Sequence, residues 1–293
     1  MYFTTAMIED EPTVVVANKD RTKFFTLDYL ALELDFVPYT DLLEFIEEHD
    51  DEMIEGIRNI IETEEEGNIE PEEMELLPAI PYPLRNVFCM GLNYRDHASE
   101  TNQDAAELPI YFSKAAFISA GPGDHVSTYS KGKHFADYEV ELIVVIGKQA
   151  KRVNKEDVEE CVFGYAVGQD FSIRDTQTYR KQWHYGKSYD GHFVMGNWIA
   201  HKSLYPLPIE VDINCYVNDE LRQSSNTRLF ICDIPSAIND LTQGVTLYPG
   251  DMLMTGTPAG VGVAMKPKYS LKVGDIVKSE VVGLETFENT MVK

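Results

Sequence analysis

Glu139 and Glu141 stand one residue apart in Asp137-Tyr-Glu-Val-Glu-Leu-Ile-Val-Val-Ile-Gly147. The run that follows is apolar and β-branched, which predicts a buried strand. Alternate strand residues share a face. Glu139 and Glu141, with Asp137, are therefore expected to project together from the mouth of that strand. Like charges so close repel, and one carboxyl stays protonated unless a cation lies between them. A hard divalent metal is the simplest such cation. The same stretch also fits an edge strand with a solvated acidic face. Asp170 shifts the balance toward a metal. It follows a second apolar stretch, 162–168, and opens Asp170-Phe-Ser-Ile-Arg-Asp-Thr-Gln177. Three carboxylates at strand ends, without Cys or His, suit Mg²⁺ or Mn²⁺ better than zinc. No fixed protein cation is expected among them.

Further groups surround this cluster in sequence. His97 and Glu100 are three residues apart, one helical turn. A carboxylate beside an imidazole fixes its tautomer and raises its basicity, which is how a general base is built. The polar stretch from Arg95 to Glu107 is expected to move as a lid. Arg174 and Gln177 share a helical face with Asp170, and Arg174 offers a fork suited to a carboxylate. A lone lysine such as Lys187 is ordinarily solvated. Thr255-Gly-Thr-Pro-Ala-Gly-Val-Gly262 follows a strand but lacks the Gly-Lys-Ser/Thr ending of a phosphate loop. Its glycines permit close backbone approach, and Thr257 is placed to donate to a ligand carboxylate. His134 and His192 lie near these segments; His49, His125, His184 and His201 read as incidental.

The elements that must hold these groups are mostly short strands. They are expected at 86–90, 110–113, 138–146, 162–167, 198–200, 211–217, 252–255 and 276–282, with one helix at 234–242. That pattern predicts an α+β, β-rich fold, a mixed sandwich-like roll rather than alternating βαβ units. Residues 1–80 read as a small acidic α+β domain, with a hairpin (13–17 and 23–26) and helices at 39–48 and 51–65. A proline-broken linker, 71–83, leads to the domain at 81–293.

The net charge of −24 is concentrated at the front: residues 1–80 carry 23 acidic and 4 basic side chains, the rest 26 and 21. Nucleic acid is excluded as a partner, because phosphate binding needs a basic face. No apolar run is long enough for a membrane span. No signal peptide is apparent, and four scattered cysteines suggest reduced thiols in a cytoplasm.

Together these segments resemble the fumarylacetoacetate hydrolase family, from about Leu77 to the C-terminus. The resemblance is carried by Gly-Leu-Asn-Tyr-Arg-Asp-His97, Asp-Tyr-Glu139-Val-Glu141-Leu, Gly-x-Asp170-x-Ser-x-Arg174-Asp-x-Gln177, Lys187-Ser-Tyr-Asp190, Asn226-Thr227, and Leu-Tyr-Pro-Gly-Asp251 leading into Thr-Gly-Thr257-Pro-x-Gly-Val-Gly262. It implies Glu139, Glu141 and Asp170 as Mg²⁺ or Mn²⁺ ligands and His97–Glu100 as a lid dyad. Arg174, Gln177, Lys187 and Thr257 would line the substrate site, Lys187 also helping to hold charge during catalysis. It further implies a small 2-oxo acid substrate and a homodimer. Gln169 replaces a frequent Asn, and Val194-Met-Gly-Asn197 replaces a common Pro-x-Gly-Pro that borders the family's pocket. The activity expected first is C–C hydrolysis of a 3-acylpyruvate, with His97 and Glu100 activating water. Oxaloacetate decarboxylation or hydroxyheptadienedioate isomerisation is the alternative, and a silent metal-dependent binding protein is the third.

Overall fold

Two strands, Val140–Ile146 and Val162–Asp170, are buried along their whole length and pair antiparallel at the centre of the molecule. In the computed structural model, which describes residues 1–100, 108–129 and 134–293, they form the middle of an 11-stranded sheet. Outward on one side come Ile199–His201, Tyr2–Ile8, Glu11–Ala17 and Phe24–Thr26. On the other come Met252–Met254, Val87–Gly91 and Ile110–Lys114. A second sheet of five strands runs Glu220–Asn226, Asp212–Val217, Ile276–Val281, Glu285–Val292 and His125–Ser127. The architecture is the β-rich α+β fold that the strand pattern predicts.

The central strand has two different apolar faces. Val140, Leu142 and Val144 join one core with Ile213, Val277 and Val281 of the five-stranded sheet. Ile143 and Val145 join another with Leu30, Phe45, Ile54 and Ile57 of the N-terminal helices. Strand alternation therefore puts Glu141 on the helix-side face. Gly168 lies opposite Glu141, so Asp170, two residues on, shares that face.

The helices begin where local chemistry lets them. Asp41, Asp50 and Asp233 each accept a backbone N–H at 2.8 Å and cap Leu42–Glu48, Asp51–Thr63 and Ile234–Gly244. Each such cap contributes about 1 kcal/mol. A further helix, Leu27–Leu34, and the first strand, Tyr2–Ile8, escape the sequence reading. Tyr2–Ile8 pairs with Ile199–His201, so hydrogen bonding runs unbroken from the first 80 residues into the rest of the sheet. Among the described residues, no helix is long and apolar enough to cross a membrane.

No residue of Val194–Asn197 lines the cavity formed by His97, Glu139, Arg174 and Lys187. Val194 pairs with Gln169 in the large sheet. Gly196 and Asn197 tie down the entering chain, through Ala79 N–H to Gly196 O at 3.0 Å and Asn197 Nδ2 to Leu77 O at 2.7 Å. The Glu285 carboxylate accepts the Asn197 N–H at 3.1 Å and the Trp198 N–H at 3.4 Å. Burial nevertheless pushes Glu285 up to about 7. A carboxyl raised on folding binds its proton more tightly in the native state, so stability falls as pH rises from the unfolded to the folded value. Wild type should lose stability relative to Glu285→Gln between about pH 4.5 and pH 7, by no more than about 3 kcal/mol. Parallel melting-temperature profiles of the two proteins across that range would refute this.

Candidate active site

Glu139, Glu141 and Asp170 converge, each offering an oxygen within 4.8 Å of the others, and all three are buried. Asp137 does not join them, contrary to expectation. It lies in a separate two-residue strand. Its Oδ1 accepts the Gly262 N–H at 2.7 Å, and its Oδ2 accepts from Val263 N–H at 3.0 Å and Arg174 Nε at 2.8 Å. Its lone pairs anchor the glycine-rich loop and Arg174.

The expectation that no protein cation sits among the carboxylates is also overturned. Lys187 is 2% exposed, and its Nζ donates to Glu139 Oε2 at 2.5 Å and Asp170 Oδ2 at 2.7 Å. Lys114 is fully buried at the end of Ile110–Lys114 and donates to Asp170 Oδ1 and, at 3.1 Å, to Phe171 O. Arg174 Nη2 lies 2.6 Å from Glu139 Oε1, a charge contact without hydrogen-bond alignment. Neither lysine is solvated, because the anions around them outweigh the cost of burial. For Lys187, burial alone would lower the ammonium, but Asp170 and Glu139 together raise it.

This charge set is uneven. Burial would raise Glu139, yet the cations of Lys187 and Arg174 hold it below the usual carboxylate range. Burial drives Glu141 well above that range, and the neighbouring charges of Asp170 and Glu139 add to the effect. Among the described residues, no side-chain cation hydrogen-bonds to Glu141; its Oε2 accepts the Gly256 N–H at 2.7 Å. A divalent cation at the cluster would reverse that preference and ionise Glu141. Three oxygen donors and no nitrogen or sulfur fit a hard ion such as Mg²⁺ or Mn²⁺.

His97 and Glu100 lie on the short helix Arg95–Glu100. His97 Nδ1 is 2.8 Å from Glu100 Oε1, while Glu100 Oε2 accepts the Gly260 N–H at 2.9 Å. With Glu100 accepting, the neutral imidazole carries its proton on Nδ1, the tautomer whose basic nitrogen is Nε2. The expected lid continues into 101–107, which lie outside the described residues. The loop 255–262 serves both acids through its backbone. Gly256 has φ +91° and Gly260 has φ +109°, conformations that side-chain-bearing residues rarely adopt. A Cβ at Gly260 would also lie 1.9 Å from Arg222 O. Thr257 points back into the fold, donating to Val140 O at 2.9 Å and accepting from Gln223 Nε2 at 2.7 Å.

One cavity of about 310 Å³ collects most of these groups. His97, Glu139, Arg174, Gln177, Lys187 and Thr257 line it, while Glu141 and Asp170 are buried and do not. Gln177 Oε1 accepts from Arg174 Nη1 at 3.2 Å. Phe112 and Trp183 supply an aromatic wall, their rings edge to face at 5.4 Å. Gln169, noted as a departure from the family pattern, points to the opposite face of the sheet. Its Oε1 accepts the Glu139 N–H and its Nε2 donates to Ser279 Oγ at 3.0 Å, so it fixes the backbone of Glu139. Lys114 is a contributor that sequence reasoning misses, and the part Gln169 plays in holding the Glu139 backbone is not legible in its departure from the family pattern. The one available signal for Lys114 is a lysine closing an otherwise strand-like run.

Residues 86–292 match the family described as Fumarylacetoacetate (FAA) hydrolase C-terminal. The chain is also 36% identical over 292 residues to oxaloacetate tautomerase YisK of Bacillus subtilis, covering 97% of this chain and 94% of that protein. The chain belongs to the fumarylacetoacetate hydrolase family. It is an enzyme of that family, and the oxygen-only triad within it supports a divalent-metal cofactor. A further relative is human mitochondrial oxaloacetate tautomerase FAHD2B, 40% identical over 222 residues, 75% of this chain and 70% of that one. Among solved members, the fumarylacetoacetate hydrolase of Exiguobacterium antarcticum superposes with a TM-score of 0.82 at 29% identity, over 100% of this chain and 99% of that one. Fumarylpyruvate hydrolase from Pseudomonas aeruginosa, in complex with Mn²⁺ and pyruvate, gives 0.64 at 30% identity over 72% and 91%.

Proposed function

We propose that this chain interconverts the enol and keto forms of oxaloacetate or a close 2-oxo dicarboxylic acid, with Mg²⁺ or Mn²⁺ held by Glu139, Glu141 and Asp170. The observation that carries the reading is one cavity lined both by Glu139, a member of the buried three-carboxylate cluster, and by His97, the imidazole of the hydrogen-bonded His–Glu dyad. Tautomerisation needs a proton moved between carbon and oxygen, and no bond between carbons broken. Two relatives, matching 97% and 75% of this chain, are named for that chemistry. They favour it over acylpyruvate hydrolysis, the activity expected first from the motifs.

When bound, the metal would polarise the 2-oxo group and stabilise negative charge developing on its oxygen. The remaining work falls to the protein. His97 Nε2 would take the proton from the carbon beside the 2-oxo group and deliver it to the enolate oxygen, or carry it the other way. Glu100 fixes the imidazole tautomer and stabilises the imidazolium that forms. Arg174 holds Glu139 in place, and Gln177 presents its amide to the cavity as a donor to the substrate carboxylate. Thr257 orders the adjoining strand, and Phe112 with Trp183 keeps water from the face of the substrate. Lys187, bonded to two of the metal-binding carboxylates, would rebalance their charge and hold substrate charge as it develops.

The test follows the ultraviolet absorbance of freshly dissolved enol-oxaloacetate with and without protein, in Mg²⁺ and in EDTA. The expected result is Mg²⁺-dependent acceleration above the buffer rate. No acceleration, alongside release of pyruvate from an acylpyruvate, would restore the hydrolytic reading.

A further inference from the structure

A dicarboxylic 2-oxo acid has a second carboxylate, and the inner cations of the cavity are already committed. Arg174 contacts Asp137 and Glu139, Lys187 bridges Glu139 and Asp170, and Lys114 is spent on Asp170. Lys181 differs from them. It lines the same cavity, is exposed, and its ammonium makes no ion pair or hydrogen bond with any described residue. The neighbouring Arg180 does not compete for that role, because its guanidinium lies over the Tyr185 ring at 4.5 Å.

The backbone explains why a lysine here faces the cavity. The helix Arg174–Tyr179 carries Arg174 and Gln177, and it ends at Arg180. Lys181 follows in the left-handed region at φ +60°, its N–H donating to Thr178 O at 3.3 Å. That reversal turns the chain between the helix and Trp183, both of which border the cavity. A flexible four-carbon stem ending in a point charge can follow a distal carboxylate of variable length.

We infer that Lys181 recognises the distal carboxylate of the substrate and so sets a preference for 2-oxo dicarboxylates over 2-oxo acids with a neutral end. The inference rests on the proposed function and names the substrate class within it. Lys181 is a specificity determinant and takes no part in moving the proton.

The experiment titrates the Mg²⁺-loaded full chain with oxaloacetate and with its C4 monomethyl ester, in which a neutral methyl ester replaces the distal carboxylate. Wild type, Lys181→Met and Lys181→Arg are compared by calorimetry, with kcat and KM measured in parallel. A charge-assisted hydrogen bond at a site open to water should account for about 10- to 100-fold in affinity. Lys181→Met is expected to weaken oxaloacetate by that factor through KM, to leave the ester within about twofold, and to be rescued by Lys181→Arg. Equal loss of both ligands, loss of neither, or a fall confined to kcat would overturn the inference. Calorimetry needs no turnover. A protein that binds oxaloacetate without tautomerising it therefore removes the proposed activity while the Lys181 comparison still stands.

Discussion

Glu141→Gln should weaken Mn²⁺ binding by more than about 100-fold, beyond the 10- to 100-fold usual for losing a partner around a metal ligand. Enol–keto activity should fall with it, as it should on EDTA treatment. Glu141 is the carboxylate of the three with no cation bonded to it among the described residues; it accepts the Gly256 N–H. Burial and the charges of Asp170 and Glu139 push its carboxyl well above the usual range, a preference that a bound metal would oppose. Glutamine imitates the neutral acid in shape but cannot ionise toward the metal. The fold of Glu141→Gln is therefore expected to survive while binding fails. Lys187→Met should act the other way. It removes a cation that competes for Glu139 and Asp170 and leaves two buried anions short of a partner. The metal-free protein should lose about 3–5 kcal/mol, and saturating Mn²⁺ should restore most of it, because a ligand stabilises the state that binds it. Calorimetric titration with Mn²⁺ and melting temperatures with and without the ion read both variants. Wild-type Mn²⁺ affinity in Glu141→Gln would remove the triad from consideration as the metal site.

His97→Ala should lower the enol–keto rate by about 10²–10⁴-fold, the usual weight of a positioned general base. His97 is buried at the cavity wall, and its Nδ1 is held by Glu100, itself fixed by the Gly260 N–H. The dyad is thus oriented by backbone as well as by side chain. Mn²⁺ affinity should be unchanged in His97→Ala, because the imidazole belongs to the dyad and not to the triad. Glu100→Gln should give a smaller loss, since an amide can still accept from Nδ1 but stabilises an imidazolium poorly. A rate near wild type in His97→Ala, or a loss of Mn²⁺ binding equal to the loss of rate, would end the assignment of His97 as the proton carrier.

The contrast between Glu139 and Lys187 shows what was legible in the chain. Period-two alternation in a buried strand brings Glu139 and Glu141 to one face, and a second apolar stretch delivers Asp170. Local pattern suffices there because the central strands are buried on both faces and their register is strongly specified. The spacing of His97 and Glu100 needs only one helical turn. Lys187 and Lys114 were not legible as buried, because a lysine at a strand or helix end is normally solvated, and only the anions brought in from other strands reverse that. Asp137 fails for the complementary reason. Its spacing matches the pair, but the strand is interrupted before Val140 and the loop at 262–263 claims its oxygens.

By itself the sequence determined the β-rich α+β class, the family, the three carboxylates and the His–Glu pair. All of these follow from short-range spacing and from ordered motifs. Tertiary structure alone decided which charges neutralise one another, and that the first strand extends the sheet built by residues beyond 80. It also decided that Val194–Asn197 anchors the entering chain instead of bordering the cavity, and that the exposed Lys181 lines that cavity with a charge bonded to none of the described residues. The physical reason is range. Alternation and helical turns act over a few residues, whereas a buried ion pair is fixed by groups such as Lys114 and Asp170, 56 positions apart, whose pairing no local pattern encodes.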